Sequence, residues 1–164
     1  MKISPKELNE NIFKLIGDDW MLITAGNKDN TNTMTASFGG FGIFCFKNVA
    51  HIYVRPERYT YDYLEANEYF SLSFFEENYK DKLAYCGKVS GRNEDKIKEC
   101  GFTTLFSENS TPYFEQAKLT IICKKMYAQD INEEGFYDKE AFNKTYSSGG
   151  LHRMYIGEIL EIIK

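Results

Sequence analysis

The 164-residue chain is 43% hydrophobic and 27% charged, with a formal net charge of −4, which makes it most simply one domain over residues 1–164 that can bury a real core. The acidic balance argues against a nucleic-acid binder, which shows a basic surface. No stretch has the apolar core of a secretory leader or reaches membrane-spanning length, so the expectation is a cytoplasmic protein away from the membrane.

Aromatic residues reach 16%, with 12 Tyr, 13 Phe and one Trp, enough flat side chains to fill a sheet core or line a pocket for a planar ligand. Cys45, Cys86, Cys100 and Cys123 are far apart, and so are His51 and His152. That spacing offers no zinc site, and in a reducing cytoplasm the cysteines are free thiols.

From the N-terminus, Ser4-Pro5-Lys6-Glu7 has the form of a capping box with proline at the first helical position. Leu8, Ile12, Leu15 and Ile16 follow at helical spacing and predict one amphipathic helix as far as Gly17. Residues 20–25 read as a buried strand, broken by a turn at 26–30. A second strand covers 32–38, closed by Gly39-Gly40, and 41–46 is a third extended piece. Ile52 and Val54 face one side and Tyr53 the other, so 49–55 is a strand. Pro56 has no N–H for a ladder and ends it.

A short helix is predicted over 59–67 and a strand over 69–75. Residues 79–85 and 94–100 look helical, with Ser90-Gly91-Arg92-Asn93 as the bend between them. Residues 118–128 alternate as a strand, and 129–150 form a long polar excursion. The last strand, 153–163, is apolar on both faces, with Met154, Ile156, Leu160 and Ile162 on one and Tyr155, Ile159 and Ile163 on the other. Such a strand must be covered twice, by a barrel interior and by a helix or second subunit. Strands broken by short helices, without β-α alternation, favour a mainly antiparallel barrel over a doubly wound sheet.

Three polar clusters interrupt this apolar plan. Asn32-Thr33-Met34-Thr35-Ala36-Ser37 puts small hydroxyl and amide residues on a strand, which suits the polar edge of a flat heterocycle or, equally, a solvent-facing strand. Arg55 and Arg58, with Tyr59 and Thr60, could form an anion socket at a strand mouth; alternatively the arginines are solvated or paired with Glu57 and Asp62. In Cys86–Lys96, the Ser90-Gly91 bend opens a helix N-terminus near Arg92 and Lys96, either a phosphate cradle or a solvated helix face. Gly40-Phe41-Gly42-Ile43-Phe44-Cys45 lacks the third glycine of a dinucleotide fingerprint, and no Walker loop, G-x-S-x-G or H-E-x-x-H occurs. Cys86 and His152 could meet as a nucleophile pair, with nothing specific to support it. Anion sockets and aromatics without a triad or metal set fit a cofactor that supplies its own chemistry.

Together, the run 32–38, Tyr-Val-Arg-Pro-Glu-Arg-Tyr-Thr at 53–60, Cys-Gly-x-x-Ser-Gly-Arg-x-x-Asp-Lys at 86–96 and His-Arg-Met-Tyr-Ile-Gly-Glu-Ile at 152–159 resemble the flavin reductase-like family, in its flavoredoxin-type branch, from about residue 20 to 163. The resemblance implies an FMN-binding split barrel of mainly β, Greek-key topology with short helices, working as a homodimer with the flavin near the subunit interface. It would place Asn32, Thr35, Ala36 and Ser37 along the isoalloxazine and ribityl region with Phe38 packed nearby. Arg55, Arg58, Thr60 and Lys96 would serve the phosphate end, and His152 would approach the flavin from its own or the partner subunit. Phe38 stands where many relatives carry Trp, and Leu151 where an acidic residue often precedes the histidine.

The resulting expectation is an FMN-dependent oxidoreductase that passes hydride from NAD(P)H through flavin to an acceptor, with no metal and with His152 as the one candidate catalytic side chain. The alternative is a non-enzymatic, flavoredoxin-like carrier docking to protein electron donors and acceptors. A barrel for another planar ligand, haem or pyridoxal phosphate, is the third.

Overall fold

The computed structural model describes residues 1–164. After a two-residue strand β1 (Lys2–Ile3), the capping box forms as predicted: Ser4 and Glu7 bond reciprocally around a 3₁₀ turn, Pro5–Glu7. The expected single helix, however, is split. Asn9, Glu10 and Asn11 follow, and asparagine favours caps and turns over helix interiors. Asn11 accordingly caps Lys14 N–H and starts a separate α1 (Ile12–Gly17).

β2 (Met21–Gly26) and β3 (Thr31–Ala36) form one hairpin, and β4 (Gly39–Phe44) and β5 (Lys47–Val54) a second. α2 (Tyr59–Ala66), β6 (Tyr69–Phe74), α3 (Lys80–Lys88) and the short α4 (Lys96–Glu99) stand close to their predicted places. A small sheet follows that the alternation did not announce, β7 (Thr104–Phe106) with β8 (Pro112–Phe114). Then come β9 (Leu119–Asp130), α5 (Lys139–Tyr146) and β10 (Arg153–Ile163). The polar excursion 129–150 therefore carries a helix, capped by Asp138, whose side chain accepts from Ala141 N–H.

The main sheet runs β3-β2-β6-β9-β10-β5-β4, with β1 added on β10, and every pairing is antiparallel. β3 and β4 lie at opposite ends of that order, yet only Ser37 and Phe38 separate them in sequence. Three Cα steps reach at most about 11 Å. The sheet must therefore curl until its two edges almost meet, giving a Greek-key barrel split along one seam.

The barrel interior is filled by Met21, Ile23, Phe70, Leu72, Ile121 and their neighbours. Outside it, Leu22, Phe75, Leu83, Cys86, Cys100, Phe102 and Phe114 form a second cluster that fastens α3 to the sheet. β2 is buried on both faces for this reason, which accounts for its unbroken apolar run. Burying a side chain of this size stabilises by about 1.5–3 kcal/mol, so the second cluster, with Leu83 and Cys86, fixes where α3 stands.

β10 departs from simple alternation. The register shift at Ile156/Gly157 leaves Met126 as an extra residue in β9, and the one at Ile159/Glu161 leaves Leu160 as an extra residue in β10. This second bulge moves the side chains of β10 from one face to the other, so that Tyr155 and Ile162 both point into the barrel and Ile159 packs against it. At the first bulge a Cβ on Gly157 would lie 2.7 Å from Phe70 Cζ. Consequently Tyr155, Ile159 and Ile163 do not form the separate second face, needing its own cover, that the sequence suggested; Tyr155 is wholly buried, and Leu160 is the apolar residue left outside.

Candidate functional site

At the seam lies a cleft of about 480 Å³, within the usual range for small-molecule sites. One side is the end of β3 with its connector: Met34, Thr35, Ala36, Ser37 and Phe38. β3 is an edge strand, and an edge leaves main-chain N–H and C=O groups outside the ladder. The other side is α3, which presents Leu83, Ala84, Gly87 and Lys88. Helix and strand approach closely here, since a Cβ on Gly87 would be 3.3 Å from Thr35 Cβ. Thr35 Oγ1 donates to the Leu83 carbonyl, so its hydroxyl is already committed to holding α3.

The turn after β5 supplies two arginines with different circumstances. Arg55 lines the cleft but donates to the carbonyls of Thr145 (3.0 Å) and Gly149 (3.3 Å) and lies 5.6 Å from the Tyr146 ring centre. It therefore satisfies carbonyls at and just beyond the C-terminus of α5, a favourable place for a cation. Arg58 also lines the cleft, and its Nη2 is buried without any hydrogen-bond partner. Burial pushes the Arg58 guanidinium below its ordinary value, the nearby Arg55 charge acts in the same sense, and Glu57 opposes both. Arg58 is also the N-cap residue of α2 and leaves that terminus without a side-chain cap. A partly desolvated cation with an unpartnered N–H beside an uncapped helix N-terminus makes this corner of the cleft electropositive.

His152 is only 9% exposed, with Nδ1 2.7 Å from the Tyr146 hydroxyl. Its ring packs against Phe38 (centres 5.6 Å apart) and Tyr53 (6.5 Å). Burial, helped by the Arg55 charge, lowers its pKa to about 4, so the imidazole is neutral near pH 7.

Three of the ten predicted residues stand elsewhere. Asn32 and Lys96 line a separate hollow with Gly91, Arg92 and Asn93: Asn32 Nδ2 donates to Thr60 Oγ1 at 2.8 Å, and Lys96 Nζ to the Cys86 carbonyl at 3.0 Å. Gly91 lies so close over Asn32 that a Cβ there would collide with the amide. Lys96 is 4% exposed, and burial first, then the Arg58 charge, lowers its pKa to about 8. Arg92 is taken up by Asp62 (3.0 Å) and by the Glu57 carbonyl (3.0 Å). Thr35, Ala36, Ser37, Phe38, Arg55, Arg58 and His152 do come together in the cleft. Sequence reasoning missed Trp20, Lys88 and Tyr146 as site residues; the helical spacing of Leu83, Gly87 and Lys88 was the available signal for the α3 side.

Aromatic walls, a free strand edge and a half-buried arginine with one buried, unpartnered N–H group meet at this cleft. The flavin reductase like domain family matches residues 15–163, and the chain belongs to it. No curated protein matches. Among solved structures, flavoredoxin from Methanosarcina acetivorans is similar with a TM-score of 0.70 at 21% identity, over 99% of this chain and 76% of that one. Flavoredoxin of Desulfovibrio vulgaris (Miyazaki F) gives 0.69 at 22%, over 99% and 76%. The Streptomyces globisporus NADH:FAD oxidoreductase, in complex with NAD and FAD fragments, gives 0.64 at 15%, over 89% and 74%. At these identities the likeness establishes the fold. No helix is long and apolar enough to cross a membrane.

Proposed function

We propose that the seam cleft holds FMN and that the protein is a cytoplasmic oxidoreductase passing reducing equivalents from NAD(P)H to an acceptor. The observation that carries this reading is the buried Arg58 Nη2 without a partner, at a cleft lined by flat side chains in a flavin reductase-like chain. Arg58, with Lys88 and the uncapped start of α2, would hold the phosphate. Ser37 and the free edge of β3 would meet the polar edge of the ring, with Phe38, Tyr53 and His152 as apolar lining. When bound, the flavin supplies hydride acceptance and onward delivery.

The chain's own residues position and insulate that chemistry. Neutral His152 adds no charge to the cleft and is oriented by Tyr146. Asn32 donates to Thr60 of α2 beneath Gly91, and Lys96 donates to the Cys86 carbonyl of α3, beside the phosphate end. Arg55 ties down the segment after α5, which lies next to the cleft and is jointed by Gly149 and Gly150 at positive φ. Anaerobic stopped-flow reduction by NADH and by NADPH tests the enzyme reading: the expected result is fast, saturable reduction that His152→Ala impairs.

A flavoredoxin-like electron carrier is the second reading, favoured by Phe38, which is 50% exposed at the cleft and could mark a docking edge. Slow reduction, linear in nucleotide and indifferent to His152→Ala, would select it. We also propose a homodimer, now on a different surface from the one the sequence suggested. The β4–β5 hairpin exposes Ile43 and Phe46, with Phe44 packed 6.4 Å from Tyr127, and Cys45 and Phe46 take left-handed conformations to make the turn. A patch of this kind on a free monomer is a liability. Sedimentation of a flavin-loaded monomer at working concentration would contradict the dimer.

A further inference from the structure

We infer that Trp20, braced by Lys80, is a positioning residue that stacks on the flavin ring from the α3 side of the cleft and biases it toward the oxidised form. The inference rests on the flavin reading above. Trp20 has φ +69°, a left-handed conformation rare for so bulky a residue. Two contacts on Lys80 account for its being held there. Lys80 Nζ donates to the Asp18 carbonyl, two residues before Trp20, and the same ammonium lies 3.3 Å from the centre of the indole. The cation thus bridges backbone and ring face, a favourable use of the indole quadrupole.

This placement serves the cleft. Met21 is paired with Ala36, so Trp20 stands one residue further along, beside Ser37 at the seam. Lys80 shares its face of α3 with Leu83, Ala84 and Gly87, the residues that line the cleft. Phe38 and Tyr53 both pack on His152, whereas Trp20 packs against the cluster that fastens α3, carries Lys80 on its π face and also lines the cleft. The part of the indole that lines the cleft is the surface offered to a planar guest. An indole is electron-rich and oxidised isoalloxazine electron-poor, so stacking favours the oxidised ring; two added electrons weaken the match. The bound flavin is therefore held at a lower reduction potential than without Trp20.

The test compares the native chain with Trp20→Leu, Trp20→Phe and Lys80→Met in affinity for FMN and for riboflavin, in bound-flavin fluorescence and in reduction potential. Trp20→Leu should weaken both ligands alike, by about two- to tenfold, brighten the bound flavin and raise its potential. Trp20→Phe should recover part of each change, and Lys80→Met should move each in the same direction by less. Native chain that takes up flavin, with affinity, brightness and potential unmoved in Trp20→Leu and Lys80→Met, overturns the inference alone. No uptake by the native chain overturns the flavin reading and the inference together. A loss confined to FMN would assign Trp20 to the phosphate end and also contradict it.

Discussion

The molecule has two basic corners, and they differ in what their cations already hold. At the Ser90–Asn93 corner, Lys96 is bonded to the Cys86 carbonyl and Arg92 to Asp62 and the Glu57 carbonyl. At the cleft corner, Arg55 is bonded to the carbonyls of Thr145 and Gly149, but half-buried Arg58 has a buried Nη2 without a partner. Leaving such a donor unpaired costs roughly 1–3 kcal/mol, a cost that a bound anion would remove. Proximity of lysines and arginines in a motif is therefore a poor guide to an anion site; the guide is which cation the fold has left without a partner.

The sharpest way to break the comparison is Arg58→Met. Losing a charge-assisted hydrogen bond of roughly 1.5–3 kcal/mol should weaken FMN about ten- to a hundredfold while riboflavin binding holds, as read by flavin titration. Equal losses for both ligands would make Arg58 structural.

Next in size is the acid response of the cleft. His152 has its pKa lowered to about 4 in the folded chain, against 6.5 for the free side chain. Between those values the unfolded chain binds the extra proton. Stability contributed by the buried neutral ring is thus complete above pH 6.5 and lost as pH falls toward 4. With solvent reaching the cleft, the loss should be on the order of 2 kcal/mol, visible in denaturant midpoints across that window and absent in His152→Gln.

A smaller effect is expected at the other corner. The lowered Lys96 pKa means that its ammonium is held at a cost near pH 7, a cost that disappears as pH rises from about 8 to 10.5. Lys96→Met removes that cost together with the hydrogen bond to the Cys86 carbonyl, so the unfolding free energy at pH 7 should change by less than about 1 kcal/mol, and the FMN-to-riboflavin preference by less than about threefold. A loss of that preference as large as in Arg58→Met would reverse the ranking of the two corners. Arg92→Ala should matter least. It removes a half-exposed ion pair with Asp62, a contact worth roughly 0.2–1 kcal/mol, as thermal melting would show.

Much of the fold is legible in the sequence because its signals are local. Alternation marks β5, β6 and β9 within a residue or two, and Pro56 ends β5. The misses are long-range or competitive. One helix became two because Asn11 is a better cap than a helix interior residue. The phase of β10 turns on a bulge set by its pairing with β9, which alternation in one strand cannot report. α5 was hidden in a polar excursion because only part of its surface meets the body, with Tyr146 its one buried residue. At the site, the motifs brought seven of the ten named residues to one cleft. They could not say that Thr35 and Arg55 were committed to α3 and to the end of α5, since those partners lie 48 and 90 residues away.

The central claim is that the seam cleft takes a flavin by its phosphate. Titrating the purified chain with FMN and with riboflavin, followed by visible flavin absorbance, addresses it directly. The account predicts one FMN per chain, bound at least about tenfold more tightly than riboflavin. A chain that takes up neither ligand, or binds both equally, would contradict it.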